Sequence, residues 1–359
     1  MLKLEKISVY QFKNYTEKQF AFSENIIAIC GLNGSGKTNL LDAIYFLCFT
    51  KSYFTKDAQT IEYNKQGLRV EGCFLKNNLH ETLTCIIREN NKKEFLLNND
   101  EYKKFSDHIG KFPSVMVAPD DIDVINGNSE LRRKLLDTIL AQVDKKYLQY
   151  LISYNKILLQ RNSVLKNINE QHQTDDFLLD TLNEQLTEKG EYIYVARKKF
   201  LEQLIPLCLD AYRHIAQSDD GIEIKYESQL MSMSFKELLH QNKQKDILLN
   251  RTSSGIHKDD IVITIHQQPF KFNASQGQKK SLLFALKLAE FETLQQHNKF
   301  SPILLLDDIF EKLDTERMHH LLHRVCIEND GQVFITDTDA ERISTALKKL
   351  SVPFQLIVL

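Results

Sequence analysis

The chain has 359 residues, of which 42% are hydrophobic and 26% charged, with a formal net charge of −2 at pH 7. This length allows two domains, or one large domain with an insertion. The near-neutral charge excludes nucleic-acid binding through a global basic field, so any such binding must use local patches. No apolar run approaches the ~20 residues that span a bilayer, and the amino terminus lacks a signal-peptide core, which predicts a cytoplasmic protein with no membrane partner.

The cysteines are scattered along the chain and include no Cys-x-x-Cys pair. Several lie in apolar surroundings, which favours buried free thiols in a reducing cytoplasm over zinc ligands or disulfides. The residues concerned are Cys30, Cys48, Cys73, Cys85, Cys208 and Cys326.

The first predicted elements, up to about Val124, are strands. Apolar and alternating runs separated by asparagine-rich turns, at 90–91 and 98–100, indicate a sheet. The predicted strands are Leu2–Tyr10, Asn25–Cys30, Leu68–Leu75, Glu81–Ile87 and Glu94–Leu97.

A complete phosphate-binding loop of the type Gly-x-x-x-x-Gly-Lys-Thr follows the second predicted strand and opens a helical pattern. Its glycines let successive backbone N–H groups turn toward phosphate oxygens, and the start of the helix favours the same anion. Lys37 is expected to reach the β- and γ-phosphates, and Thr38 to ligate Mg²⁺. The loop therefore predicts binding of a nucleoside triphosphate. Its residues are Gly31, Leu32, Asn33, Gly34, Ser35, Gly36, Lys37 and Thr38.

The middle of the chain, from Ser129 to about Ala216, has helical periodicity and almost no Gly or Pro. Two apolar series flank the polar segment Asn167–Asp176, which predicts a helical hairpin joined by that segment. Either an ordinary helical subdomain or a specialised arm fits this pattern. Pro206 is expected to kink or end the second helix. The two series are Leu151, Tyr154, Leu158, Leu165 and Ile168, then Leu179, Leu182, Leu186, Ile193, Ala196 and Phe200.

Two basic clusters lie within the helical region, at 132–134 and 197–199. We interpret both as solvated helix faces in preference to DNA contacts. From about Gly221 the pattern is mixed again. The predicted elements there are strands Ile222–Tyr226, Asp260–Ile265, Pro302–Leu306 and Gln332–Thr336, and helix Ser281–Leu294.

The strand Ile303–Leu306 ends in two acids, Asp307 and Asp308. A buried parallel strand presents carboxylates in this way at its carboxyl end, where ligands bind in α/β sheets. Asp307 is expected to hold Mg²⁺ through water, and Asp308 to orient the attacking water. Alone this pattern is a weak indication of a nucleotide site, and its position downstream of a phosphate loop strengthens the indication.

A small-residue turn, Ser275-Gln276-Gly277-Gln278, opens another helix. By itself it fits a capped helix start with Ser275 as the N-cap, or an anion site. The order phosphate loop, Ser-x-Gly-Gln helix start and strand with paired acids, followed by Leu313-Asp314, is that of ABC-type ATPases. In that plan the Ser-Gly-Gln element of one subunit closes on the γ-phosphate held by another.

Several stretches together resemble the bacterial RecF family of recombination-repair proteins, which are related to SMC heads but lack their long coiled coils. Ser-Gln-Gly-Gln and the paired Asp-Asp are closer to this family than to most ABC proteins. The matching stretches are Phe12–Tyr15, Gly31–Leu41, Lys51–Phe54, Ala118–Asp121 with Arg132-Arg133, Gly255–Asp260, Ala274–Lys280, Leu304–Asp314 and Gln332–Asp337.

The resemblance implies ATP-dependent dimerisation on single-stranded and gapped duplex DNA, cooperation with RecO and RecR to load RecA, and a part in the SOS response. It also implies weak, DNA-dependent ATP hydrolysis with Mg²⁺. Ser275, Gly277 and Gln278 would bind the nucleotide of the second copy, and Lys13 stands where related heads carry Arg near the nucleotide. Lys258 replaces the family's Arg, and no His occupies the switch position near Thr336. We expect slow hydrolysis, below ~1 per second.

Other classes fit less well. The ATPase subunit of a membrane transporter is the alternative, but the helical insertion and the Ser-Gln-Gly-Gln variant disfavour it. A nuclease would need an added metal-carboxylate domain, for which no room is expected after Thr336, and a P-loop kinase leaves the Ser-Gln-Gly-Gln element unexplained. Scattered lysines form either a DNA-facing surface or an ordinary solvated one. They are Lys51, Lys56, Lys92, Lys93, Lys103 and Lys104.

These patterns together predict an α/β fold: an ABC-type P-loop ATPase head built from both ends of the chain, with an inserted helical arm domain. We expect residues 1–125 to form the amino-terminal part of the head, 126–220 the arm, and 221–359 the carboxy-terminal part of the head. The expected location is the cytoplasm, in association with the nucleoid.

Overall fold

The computed structural model describes residues 1–171, 176–311 and 314–359. No helix in these ranges is long and apolar enough to cross a membrane. The strands are β1 (Leu2–Phe12), β2 (Tyr15–Ala21), β3 (Ile26–Cys30), β4 (Leu68–Lys76), β5 (Leu79–Ile87), β6 (Lys93–Leu97), β7 (Asp100–Glu101), β8 (Ser114–Val117), β9 (Ile222–Glu227), β10 (Asp260–Ile265), β11 (Gln268–Pro269), β12 (Ile303–Leu306), β13 (Val333–Asp337) and β14 (Gln355–Val358). The helices are α1 (Lys37–Phe49), α2 (Asp123–Asn126), α3 (Ser129–Val143), α4 (Lys145–Gln171), α5 (Asp176–Ala216), α6 (Phe235–Gln241), α7 (Lys243–Leu249), α8 (Phe270–Asn273), α9 (Gln276–Asn298), α10 (Thr315–Cys326) and α11 (Ala340–Lys349).

The chain divides into two compact units. The first comprises Met1–Ile122, Leu207–Ser218 and Ser275–Leu359, and the second comprises Asp123–Pro206 and Asp219–Ala274. The first boundary lies close to the expected one at 125/126. Residues 219–274 differ from the expectation because they belong to the second unit, where β10 contacts α3 and α7 contacts α4.

The first unit contains two sheets. One is parallel, in the order β14-β3-β13-β12-β8, and the other is antiparallel, in the order β2-β1-β4-β5-β6-β7. All residues of β3 and β12 are buried, which explains their uninterrupted apolar sequences, since internal strands of a parallel sheet are covered on both faces. The carboxyl ends of β3 and β12 therefore lie at the same edge of one sheet, with β13 between them.

Helix α1 lies in the core of the first unit. It contacts β1, β4 and β5 of the antiparallel sheet and β8 and β13 of the parallel sheet. Leu40, Leu41 and Ile44 are fully buried, as are most side chains on every face of the helix. A helix that is apolar all round must be buried on all sides, and this fixes the loop that precedes it.

The second unit contains the predicted helical hairpin, which is confirmed: Leu165 and Ile168 of α4 pack on Leu179 of α5. The expected polar connection overlaps residues 172–175, which lie outside the described ranges. Of the two outcomes expected at Pro206, an end of the second helix is excluded because α5 continues to Ala216, and a kink stays a prediction. Proline removes one backbone hydrogen bond, and the buried side chains on both flanks, Leu204 and Cys208, keep the segment helical.

The expectation of a solvated basic cluster at 197–199 is wrong for Arg197, whose side chain is 1% exposed. Its guanidinium pairs with Asp137 at 2.8 Å and with Asp259 at 2.9 Å. Arg132 of the other cluster pairs with Asp260 at 2.7 Å and is also largely buried. Asp259 and Asp260 come from the Gly255–Asp260 stretch, whereas Asp137 lies on α3, so the stretch links β10 to α3 and α5 within the second unit.

All six cysteines are free and all but Cys73 are buried, which agrees with the expectation of buried thiols; the expected absence of zinc and the reducing compartment stay predictions.

Candidate nucleotide site

The phosphate loop connects β3 to α1 at the carboxyl edge of the parallel sheet. Gly36 occupies the N-cap of α1 with φ 110°, and no side chain caps the helix. A Cβ at this position would lie 2.7 Å from the Tyr15 hydroxyl oxygen, so the backbone and the neighbouring ring both require glycine. An uncapped helix start is the arrangement in which first-turn N–H groups can bind an anion.

The ammonium of Lys37 lies within the loop itself. Its Nζ donates to the carbonyl oxygens of Gly31 at 2.9 Å and Leu32 at 3.2 Å, and the residue is 5% exposed. A buried cation that is hydrogen-bonded to neutral carbonyls is well placed to exchange them for phosphate oxygens, since hydrogen bonds between two charged groups are stronger than those to neutral ones.

Thr38 and Asp307, the two predicted metal ligands, are brought together. The Thr38 hydroxyl lies 3.0 and 2.9 Å from the carboxylate oxygens of Asp307, which is 3% exposed. Thr336 donates its own hydroxyl to Asp307 at 2.8 Å. The pKa of Asp307 is raised overall, mainly by burial. The hydrogen bonds from Thr336 and Thr38 lower it, and the charge of Asp308 raises it.

The hydroxyl of Thr38 and the carboxylate of Asp307 are hard oxygen donors, which Mg²⁺ prefers. Mg²⁺ is usually held by one or two carboxylates together with substrate phosphates and waters, so this pair beside a phosphate loop fits the ion.

Asp308 follows directly at the same sheet edge. Its backbone N–H donates to Thr336 Oγ1 at 2.9 Å, and its φ of 46° turns the chain into the left-handed region. Asp tolerates this conformation better than most residues. The different roles that the sequence predicted for Asp307 and Asp308 stay a prediction.

The Ser-Gln-Gly-Gln turn is a capped helix start. The Gln278 N–H donates to Ser275 Oγ at 3.2 Å, and the Ser275 N–H donates to Gln278 Oε1 at 2.8 Å, forming a capping box on α9. A Cβ on Gly277 would clash with the Arg317 guanidinium, which therefore lies against the turn. The cap does not exclude nucleotide binding in a dimer, and that role stays a prediction.

Lys13, expected near the nucleotide, forms an ion pair with the fully buried Asp42 of α1 at 2.7 Å. Its Nζ also lies 5.1 Å from the ring centroid of Phe54. The structure thus places Lys13 against the helix that follows the loop, and direct contact with nucleotide stays a prediction.

Asn14 and Tyr15, to which the sequence assigned no role, contact the phosphate loop directly. Asn14 Nδ2 lies 3.3 Å from the carbonyl oxygen of Gly34, and the Tyr15 hydroxyl donates to that of Gly36 at 3.0 Å. The stretch Phe12–Tyr15 was singled out only by its resemblance to the RecF family, and nothing in its composition indicates these contacts.

The six scattered lysines differ in their surroundings. Lys93 is partly buried: it donates to the Thr50 carbonyl oxygen and pairs with Asp57 at 2.8 Å. Lys92 is exposed and pairs with Glu94 at 3.0 Å. The others, Lys51, Lys56, Lys103 and Lys104, are exposed. Lys93 is therefore unsuited to contacting DNA without rearrangement, whereas the exposed lysines are accessible.

A parallel sheet with a phosphate loop after β3 and paired acids after β12, beside an antiparallel sheet, defines an ABC-type P-loop ATPase head. The model of the RecF/RecN/SMC N terminal domain family matches residues 3–356, and the chain belongs to this family. The predicted fold class and the predicted family are both confirmed.

Individual relatives and solved structures agree with this family assignment. The "DNA replication and repair protein RecF" of Flavobacterium johnsoniae is 43% identical over 96% of this chain and 96% of its own length. That of Cytophaga hutchinsonii is 39% identical over 99% of this chain and 94% of its own. The structure described as "recombination mediator protein RecF-ATP in RecFOR pathway" has a TM-score of 0.87 and 30% identity, and covers 94% of this chain and 92% of its own. These relatives support the DNA-repair interpretation and not the transporter alternative.

A more distant similarity concerns the fold alone. An Smc head domain of Pyrococcus furiosus superposes with a TM-score of 0.55 at 17% identity, covering 96% of this chain and 92% of that one.

Proposed function

We propose that this chain is an ATP-dependent DNA-binding protein of recombinational repair and replication, in which ATP joins two copies on DNA and slow hydrolysis releases them. The contact between Thr38 and Asp307, at 3.0 and 2.9 Å, carries this proposal because it unites the phosphate loop and the paired acids in one site. The names of the relatives, and the solved RecF structure described with ATP, support it.

Within one copy, the loop residues 31–36 would bind the phosphates through backbone N–H groups, and Lys37 would neutralise the β- and γ-phosphates. Thr38 would ligate Mg²⁺ directly and Asp307 would hold it through water. Bound Mg²⁺ supplies charge neutralisation on the phosphate oxygens. Asp308 would orient the attacking water. The site thus favours phosphoryl transfer to water over other ATP chemistry.

The second copy would supply Ser275, Gly277 and Gln278. The start of α9 adds a positive helix end to the cap, and such an end favours an anion. We infer that this turn of one copy binds the γ-phosphate of the nucleotide held by the other copy. ATP would then hold the dimer together, whereas ADP, which lacks that phosphate, would not.

The proposed partners are single-stranded and gapped duplex DNA, RecR together with RecO, and through them RecA. The proposed setting is the cytoplasm, on the nucleoid, with a role in the SOS response. These proposed partners rest on the family and on the solved RecF structure that is described within the RecFOR pathway.

The test is the substitution Lys37→Arg, which replaces a compact ammonium by a planar fork that does not fit the loop. Light scattering should give a wild-type mass that doubles with ATP and rises again with gapped DNA. The variant should keep its circular dichroism and melting temperature yet stay monomeric with ATP. Lys103→Arg, at an exposed position, is the control and should dimerise normally. Dimers that form equally well without ATP would refute the mechanism.

A further inference from the structure

The carbonyl groups of a phosphate loop need partners of their own. When successive N–H groups turn inward around an anion, the intervening C=O groups point outward, and buried carbonyls are almost always hydrogen-bonded. Here Lys37 holds the carbonyls of Gly31 and Leu32, as described above. The carbonyls of Gly34 and Gly36 are held from outside the loop.

Tyr15 forms a hydrogen bond with the carbonyl of Gly36. Its hydroxyl donates to Gly36 O at 3.0 Å, and the same oxygen accepts the N–H of Leu40 at 2.9 Å, the first bond of α1. The residue is 5% exposed, and burial raises the pKa of its hydroxyl well above the usual value, so the group remains a donor. The aromatic ring occupies the space that the missing Cβ of Gly36 leaves open.

Asn14 holds the other outer carbonyl in a fixed orientation. Its Oδ1 accepts from the side-chain amide of Asn39 at 2.8 Å, which leaves Nδ2 facing Gly34 O at 3.3 Å. Lys13 ties the same turn to α1 through Asp42 at 2.7 Å. The turn between β1 and β2 thus contacts the loop and its helix at three successive residues.

We propose that Tyr15 and Asn14 are positioning residues for the triphosphate, acting through the carbonyls of Gly36 and Gly34 to keep the loop N–H groups directed inward. The inference rests on the proposed ATP site, and it assigns the β1–β2 turn a role in nucleotide affinity that is separate from the fold. Neither side chain needs to contact the nucleotide. Losing either bond lets a loop carbonyl rotate, which misdirects the neighbouring N–H.

The experiment compares Tyr15→Phe and Asn14→Ala with the wild-type chain. Tyr10→Phe is the matched control, because Tyr10 is exposed on β1 and its hydroxyl accepts from the adjacent Gln11. Three quantities are measured: the Kd for a fluorescent ATP analogue, the melting temperature, and amide hydrogen exchange in the peptide that covers residues 31–38.

Each of the two variants should raise the Kd about threefold to tenfold, the effect of one lost hydrogen bond. Exchange should rise in residues 31–38 alone, and the melting temperature should stay within about 2 °C of the wild type. An unchanged Kd would overturn the inference while leaving the proposed function intact. A fall in melting temperature with faster exchange throughout the chain would overturn it too, because the role would then be merely structural. Failure of the wild-type chain to bind the analogue would instead refute the proposed function itself.

Discussion

The hydroxyl of Thr38 lies 3.0 and 2.9 Å from the two carboxylate oxygens of Asp307, although 269 residues separate them in the chain. The two ends of the chain meet here because β3 and β12 belong to one parallel sheet. Any change to either residue therefore acts on the phosphate loop and on the paired acids together.

Thr38→Ala should raise the Mg²⁺ concentration needed for half-maximal ATP hydrolysis by about tenfold or more, because it removes one oxygen donor to the ion and leaves Asp307 with the hydroxyl of Thr336 but not that of Thr38. A Mg²⁺ titration of phosphate release measures this. Thr181→Ala is the control, since the Thr181 hydroxyl bonds a carbonyl within α5. Equal Mg²⁺ requirements in the two variants would contradict the metal assignment.

Asp308→Asn should lower the hydrolysis rate by about 100-fold or more while ATP still drives dimerisation, because it removes the group that orients water and keeps the size of the side chain. Asn also accepts the left-handed φ of 46°, so folding is preserved. Phosphate release and light scattering report the two effects separately. Asp120→Asn, at an exposed position, should leave both unchanged. A variant that hydrolyses at the wild-type rate excludes Asp308 from the reaction.

Ser275→Arg should abolish ATP-driven dimerisation, because a long cation would obstruct the turn that receives the partner's γ-phosphate. Mixed with the Lys37→Met variant, it should recover part of the hydrolysis, since one composite site then has both intact halves. Ser234→Arg is the matched control: Ser234 caps α6 with a capping box of the same type. If the mixture recovers no hydrolysis, or if Ser234→Arg loses dimerisation equally, Ser275 acts as a helix cap and does not contact the partner's nucleotide.

Arg197→Leu should lower the free energy of unfolding of the second unit by about 3–5 kcal/mol, because it leaves Asp137 and Asp259 without their buried cation. Denaturant unfolding measures the loss. Lys198→Leu changes the next, exposed residue and should stay within about 0.5 kcal/mol of wild type. Similar losses in the two variants would argue against the buried ion pairs.

His108 should make the first unit less stable in mild acid. Burial lowers the pKa of His108 from 6.5 to about 4, so the folded state holds the ring neutral while the unfolded state protonates below 6.5. Stability is therefore full above pH 6.5 and falls as the pH drops toward 4, by about 2 kcal/mol at pH 5. His108→Gln should flatten this slope in denaturant titrations at pH 7.5 and 5, whereas His80→Gln, at an exposed position, should not. If the free energy of unfolding falls equally with pH in both variants, the acid sensitivity comes from groups other than His108.

The motif residues were predictable because each motif encodes a local backbone geometry. A phosphate loop needs its glycines at a fixed short spacing, and an apolar strand that ends in acids needs no distant partner to be recognised. The strand β2 was missed because most of its residues are exposed and polar. The four-residue strand β8 was also missed, since a short apolar run does not distinguish strand from helix.

The remaining features depend on contacts between distant residues, which periodicity cannot reveal. Arg197 looks like a solvated cation until Asp137 and Asp259, 60 and 62 residues away, are placed beside it. Asn14 and Tyr15 likewise reach a loop 20 and 21 residues further along the chain. In both cases the residue type is ordinary, and only tertiary packing gives it a role.

The bonds from Lys37 to the carbonyls of Gly31 and Leu32 make one side chain both a crosslink of the loop and the expected partner of the phosphates. Binding of a triphosphate would therefore exchange one set of oxygen partners of the ammonium for another. Substituting Lys37 would remove this crosslink of the loop as well as a contact to phosphate. The two backbone carbonyls that the ammonium releases would then need other hydrogen-bond donors.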